Sequence, residues 1–358
     1  MKNRIVLAPM GLGKMTEPDG NWGERVREHY LARIRGGVGL ITTSVVYVTQ
    51  QLEAHTRTTL NLDSDLHLES LRTIIELAHL HGAKVSVQLS GGLGQGVHLY
   101  VLDPNAPPVS ASATPYRFDP SVLCRPLAIE EVEEIVQDFG RAAKRCQMAG
   151  ADMVEVHSHN GFILDAFMSA RWNQRSDKYG GSPEKRLTLA REVVSCIKEQ
   201  TGGDFPVIYR FPLDHYVKDG RTADESLPIC QELEAMGVDA LHIDAGCYES
   251  AWWLAPSMYQ PRGTTVDLAA RAKTVVKIPV IAVGKLHYPL LAEKVLQEGK
   301  ADFIALGRGL LADPEWPIKV RENRLDDILH CIGDNEGCFG EHHASRLRSC
   351  TVNPTCGH

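Results

Sequence analysis

Short apolar runs rich in β-branched residues alternate with longer segments of helical period along this chain, and that alternation restricts its fold more than any single motif does. The runs are Arg4 to Met10, Gly39 to Val46, Lys84 to Ser90, Asp152 to His157, Pro206 to Phe211, Ala240 to Asp244, Pro279 to Val283 and Phe303 to Leu306. Between them lie stretches such as Ile129 to Met148 and Pro183 to Glu199, whose apolar residues fall on one helix face. Gly82, Gly150 and Gly237 stand where helices end before the next strand. Eight such βα units with near-continuous apolar strands predict an α/β fold, a closed parallel TIM (β/α)8 barrel. An open doubly wound sheet is the alternative, and the lack of a G-x-G-x-x-G after the first strand weighs against it. Gly91 to Pro126, rich in Pro, Ser and Ala, reads as an excursion over the barrel mouth.

In such a barrel the C-terminal ends of the strands carry the chemistry. Here they read Ala8-Pro9-Met10, Thr42-Thr43-Ser44, Gln88-Leu89-Ser90, His157-Ser158-His159-Asn160, Arg210, Asp244-Ala245-Gly246, Gly284-Lys285 and Gly307-Arg308. Amide, imidazole and guanidinium groups are thereby directed to one face.

Beyond the eighth unit, Cys331, Cys338 and Cys350 follow the pattern C-x2-[D]-x3-C-x11-C, with Asp334 where a fourth cysteine would complete an iron–sulfur site. Carboxylate oxygen is a harder donor than thiolate, yet iron accepts it. Gly333, Gly337 and Gly340 supply the backbone freedom of a tight ligand loop. Three free thiols are the plainer alternative. The pattern divides the chain into a barrel over residues 1–325 and a cluster-binding segment over 326–358.

With 358 residues and 43% hydrophobic composition, the chain can bury one large core. A net charge of −7 argues against nucleic acid as a partner. No apolar run reaches the roughly 18 to 20 residues needed to span a bilayer, and the start MKNRIVLAPM lacks a signal peptide's length and cleavage pattern. Nine cysteines scattered through helices and strands suit a reducing compartment, so the expectation is a cytoplasmic protein without membrane contact. A homo-oligomer stays open.

The strand ends, with NRIVLAPM, VQLSGGLGQG, PVSASATPYRF, NQRSDKYGGSPEKR and ALGRGLLADPEWP, resemble the Old Yellow Enzyme superfamily from about Asn3 to Pro354. The iron–sulfur branch of 2,4-dienoyl-CoA reductases and 2-enoate reductases is the most similar. The resemblance implies a TIM barrel holding FMN at its mouth. It places Gly284, Gly307 and Arg308 at the flavin phosphate, where backbone amides and a cation suit an anion. It sets Arg210 and Gln88 beside the flavin pyrimidine, where a fixed cation raises the flavin potential. Pro9 and Met10 would pack under the ring. His157 and Asn160 match the family pair that polarises a substrate carbonyl as the β-carbon accepts hydride. Where relatives often carry a tyrosine proton donor, this chain has Phe162, which has no ionisable proton. Tyr248 is the replacement candidate, with His159 or water behind it. Relatives also carry an FAD and NAD(P)-binding region after the cluster. No such unit is found in these residues, so the electrons are expected from a missing FAD/NAD(P)H region or from a partner protein.

The sequence therefore predicts an FMN-dependent ene-reductase fed through a 4Fe–4S cluster on Cys331, Asp334, Cys338 and Cys350, acting on a small unsaturated acid, CoA thioester or ketone. Trp252, Trp253, Pro256, Met258 and Tyr259 are expected to line the substrate pocket. One alternative is an amine dehydrogenase of the trimethylamine dehydrogenase type; its cysteine-linked flavin lacks a counterpart, since residues 11–40 contain no cysteine. A non-catalytic flavin and cluster electron carrier is another. An aldolase with Lys285 at a strand end is a third.

Overall fold

Eight parallel strands form a closed ring in the computed structural model, which describes residues 1–53, 59–97, 106–340 and 347–357. They are β1 (Ile5–Leu7), β2 (Leu40–Thr42), β3 (Lys84–Ser90), β4 (Met153–His157), β5 (Val207–Pro212), β6 (Ala240–Asp244), β7 (Val280–Val283) and β8 (Phe303–Leu306). Each pairs with its sequence neighbours, and β1 opposite β8, with Val6 facing Ala305, completes the ring. Every predicted strand is found, three with the expected bounds and the others shifted by one to four residues at their ends. The strands were legible because both their faces are buried, which leaves continuous apolar runs rather than a polar–apolar alternation.

Successive side chains of a strand point to opposite faces. Val6, Leu40, Ile208, Ile281 and Ala305 pack inside the barrel, whereas Leu7, Ile41, Val85 and Val87 pack outward against the helices. The helices Glu24–Arg35, Leu68–Leu80, Ile129–Met148, Thr188–Thr201, Ala223–Ala235, Val266–Lys273 and Pro289–Gln297 alternate with the strands. Thr222 caps Ala223–Ala235 together with Glu225, whose carboxylate accepts from the Thr222 backbone at 2.8 Å.

One predicted helix is divided. Pro183–Arg186 and Thr188–Thr201 are separate, joined at Leu187. The four-residue turn buries none of its residues, so no packing holds it in line with the longer helix.

The excursion after β3 is ordered where described. Pro115–Tyr116 and Asp119–Leu123 form an antiparallel hairpin, and Val109–Ser110 pairs with Arg125–Pro126. Tyr116 Oη donates to Val97 O at 2.6 Å, and these two pack with Cys124 as a small satellite core. Residues 98–105 of the predicted excursion lie outside the described residues, as do 341–346 of the cysteine segment.

After β8 the chain turns back over the barrel mouth. Asn353 Nδ2 donates to Leu311 O at 2.7 Å, and Asn335 Nδ2 donates to Ala255 O at 2.8 Å. Among the described residues no helix is long and apolar enough to cross a membrane.

Candidate active site

A cavity of about 740 Å³ opens at the C-terminal ends of the strands, within the range of small-molecule and cofactor sites. Pro9, Met10, Gln88, His157, Asn160, Arg210, Tyr248, Gly284, Gly307 and Arg308 all line it, although they come from seven strand ends or the loops after them. Cys331 and Cys338 reach its wall as well, while Asp334 and Cys350 line a small adjoining pocket with them. The residues expected to be catalytic, cofactor-binding or metal-binding thus lie in one of two neighbouring hollows.

The polar groups are held by partners far away in sequence. Gln88 Nε2 donates to Glu155 Oε1 at 2.7 Å, and Glu155 Oε2 lies 2.8 Å from His242 Nδ1. That buried chain fixes the Gln88 amide and leaves its Oε1 for a ligand. Arg210 is ion-paired, its guanidinium donating through Nε and Nη2 to Asp244 at the end of β6. The two strands are neighbours in register, Arg210 opposite His242, which brings the two side chains together.

His157 and His159 are both held well below the usual imidazole range, first by burial and then by the Arg210 charge. At neutral pH both are uncharged hydrogen-bonding groups. His157 Nδ1 is covered and has no hydrogen-bond partner, whereas His159 Nδ1 lies 3.4 Å from Asp244 Oδ2. Asn160 adopts φ 64°, a conformation that asparagine tolerates better than most residues. Gly161 N donates to Asp165 Oδ2 at 2.8 Å and holds this turn in place.

Phe162 packs edge-on to His157 with ring centres 4.9 Å apart, and Tyr248 stands 5.7 Å beyond it. The Tyr248 ring therefore stands next to Phe162, the position at which the resemblance implies a tyrosine.

Gly284 has φ 123°, and a Cβ there would lie 2.2 Å from Thr265 Oγ1, so only glycine fits. Arg308 lines the cavity, yet its Nη1 donates to Asn335 Oδ1 in the cysteine loop and its Nη2 donates to Pro256 O at 2.8 Å. One expected wall is absent. Pro256 lines the cavity but Trp252, Trp253, Met258 and Tyr259 do not: Trp253 stacks on Tyr216 at 3.9 Å, and Tyr259 is 92% exposed. The short helix Ala251–Leu254 turns successive side chains about 100° apart, which leaves Leu254 and Ala255 facing inward in their place.

In the cysteine segment no three His, Cys, Asp or Glu side chains among the described residues stand close enough to share one metal ion. A cluster makes a different demand, with each ligand on its own iron. Cys331, Asp334, Cys338 and Cys350 ring the small pocket, Thr351 Oγ1 donates to Asp334, and Gly333 takes φ 75° at the turn. Burial pushes the Cys331 and Cys338 thiols up, and Arg308 pulls both back toward the thiolate. The donor set and the adjacent cations fit an anionic iron–sulfur group. Glu155, Asp244 and Arg348 belong to these sites and were missed by motif; only the position of Asp244 at a strand end marked it.

The chain matches the NADH:flavin oxidoreductase / NADH oxidase family over residues 1–327. It belongs to that family. It is similar to an NADH oxidase of Thermoanaerobacter brockii, 41% identical over all of this chain and 54% of that protein, and to a cinnamate reductase of Clostridium sporogenes, 40% identical over all of this chain and 56% of that protein. The chain thus spans about half the length of these relatives. Among solved structures, 2-naphthoyl-CoA reductase with 2-naphthoyl-CoA superposes with a TM-score of 0.91 at 28% identity, over 99% of this chain and 55% of that one. Family membership places this barrel among the NADH:flavin oxidoreductases, and the TIM architecture expected from the sequence is confirmed.

Proposed function

We propose that the chain is an FMN-dependent ene-reductase acting on the C=C bond of an α,β-unsaturated acid, CoA thioester or ketone. The observation that carries this reading is the covered, unpartnered His157 Nδ1, which lines with Asn160 the cavity that also receives Gln88 and Arg210. FMN bound there supplies hydride to the β-carbon. Gln88 Oε1, fixed by Glu155, and the Arg210–Asp244 pair would meet its pyrimidine edge, with Gly284, Gly307 and Arg308 at its phosphate and Pro9 and Met10 under its ring. His157 and Asn160 hold the substrate carbonyl. As neutral donors, through His157 Nδ1–H and the Asn160 Nδ2 amide, they would stabilise the negative charge that grows on its oxygen. Tyr248 Oη delivers the proton to the α-carbon, in place of the family phenol lost at Phe162.

Cys331, Asp334, Cys338 and Cys350 would hold the 4Fe–4S cluster, the relay for single electrons from an FAD/NAD(P)H region or partner protein. The name of the cinnamate reductase relative and the bound thioester of the naphthoyl-CoA structure support an unsaturated, conjugated substrate. Phe162 favours the rival reading of an electron carrier.

The test is anaerobic. Flavin, iron and sulfide are quantified on one sample, which is then given reduced methyl viologen with cinnamate, crotonyl-CoA and cyclohexenone, and separately an electron acceptor with methylated amines. Bound flavin with turnover of an enoate or enone is expected. Amine oxidation without C=C reduction, or protein devoid of flavin, overturns the reading, and flavin with no turnover of any substrate favours the carrier.

A further inference from the structure

The cations around the cavity are unequal in one respect. Arg210 is paired with Asp244, Lys285 donates to the carbonyls of Ser257 and Gln260, and Arg308 donates to Asn335 and Pro256 O. Lys14 is exposed to water. Arg348 has none of these arrangements. It lines the cavity at 6% exposure, its Nε is covered and unpartnered, and no carboxylate pairs with it among the described residues. Its neighbour Arg33, 3% exposed, donates to the carbonyls of Leu310 and His29, and so offers no negative charge in return.

A buried guanidinium without a counter-ion is costly and persists where something of opposite sign faces it. The groups of potentially negative charge closest to Arg348 are the Cys338 and Cys356 thiols, with the Tyr30 phenol behind them. Ser349 N donates to Gly337 O at 2.7 Å, so Arg348 and Cys338 flank a single backbone bond. Cys331 and Cys338 share the cavity wall with Arg348, and Cys356 packs against Cys338 at the same corner.

We infer that Arg348 is the counter-charge of the iron–sulfur cluster at its boundary with the flavin, a positioning residue that raises the cluster's electron affinity. The inference rests on the cluster reading above. Each electron from the external reductant adds one negative charge to the cluster and then leaves it for the flavin. Two such electrons, with one proton from solvent, make up one hydride. A fixed cation beside the thiolates favours the electron-loaded cluster at every passage.

The experiment compares wild-type, Arg348→Gln and Arg348→Lys protein, each reconstituted anaerobically with iron, sulfide and FMN and titrated by potentiometry with visible and electron paramagnetic resonance detection. Arg348→Gln is expected to lower the cluster's electron affinity at least tenfold, about 59 mV for a one-electron couple, while Arg348→Lys stays close to wild type. An unchanged cluster potential in Arg348→Gln at full iron and flavin content overturns the inference. If Arg348→Gln retains its fold but no iron, iron retention by Arg348→Lys supports the charge role, and iron loss in both variants assigns the residue to packing and overturns it. Wild-type protein that takes up flavin but no iron refutes the cluster reading itself, an outcome distinct from the others because it needs no variant.

Discussion

At the scale of single residues, the proposed proton transfer turns on Phe162 and Tyr248, whose ring centres lie 5.7 Å apart. Phe162 keeps the shape of the wall beside His157 but has no proton to give, and the neighbouring phenol belongs to a loop after a different strand. If Tyr248 is the acid, Tyr248→Phe lowers kcat by about 10²- to 10⁴-fold, the usual worth of a positioned proton donor, with little change in KM. Anaerobic turnover at saturating enoate measures it, and an undiminished kcat would return the role to His159 or water. The residues that reach the cavity could be read from strand ends because a barrel directs those ends to one face. Their partners could not. Glu155 stands 67 positions from Gln88, and Asp244 stands 34 from Arg210, separations that no local pattern encodes. Pairing across neighbouring strands is what makes Arg210 half of an ion pair.

At the scale of elements, strands were legible to within a few residues, since burial on both faces gives each an unbroken apolar run. The connecting segments were less so. The tryptophan-containing segment after β6 is helical over only four residues, too short for a sequence period to show which side faces the cavity. At the end of β7, Gly284→Ala would force a side chain into Thr265 and a strained backbone together. We expect a loss of about 1–3 kcal/mol for the strain alone, seen as a lower melting temperature and reduced flavin content after dialysis. In the cysteine loop, Asp334→Cys restores a fourth soft donor at a position that already lines the pocket. Iron per chain should be retained or increased and should survive chelator longer; reduced iron on this change would remove Asp334 from the ligand set.

For the molecule as a whole, stability should depend on pH through its buried histidines. His29, His157 and His159 lie well below the usual 6.5 and His287 falls to about 4, in each case chiefly through burial. Below pH 6.5 the unfolded chain binds protons at these positions that the folded chain refuses, so stability falls as the pH falls. Glu53 acts in the opposite sense: burial raises it to about 7, and its folded form keeps a proton that the unfolded form releases above about 4.5. Four histidines outweigh one carboxylic acid, each net proton being worth about 1.4 kcal/mol per pH unit. The melting temperature should therefore drop between pH 7 and pH 5, and a flat profile would mean that these imidazoles are not neutral in the folded state. The barrel also bears on how the protein ages. Because the Arg308 guanidinium clasps Asn335, the barrel rim after β8 is latched to the cysteine loop. On the proposed reading, loss of iron from that loop would loosen this latch, and flavin should be released along with it.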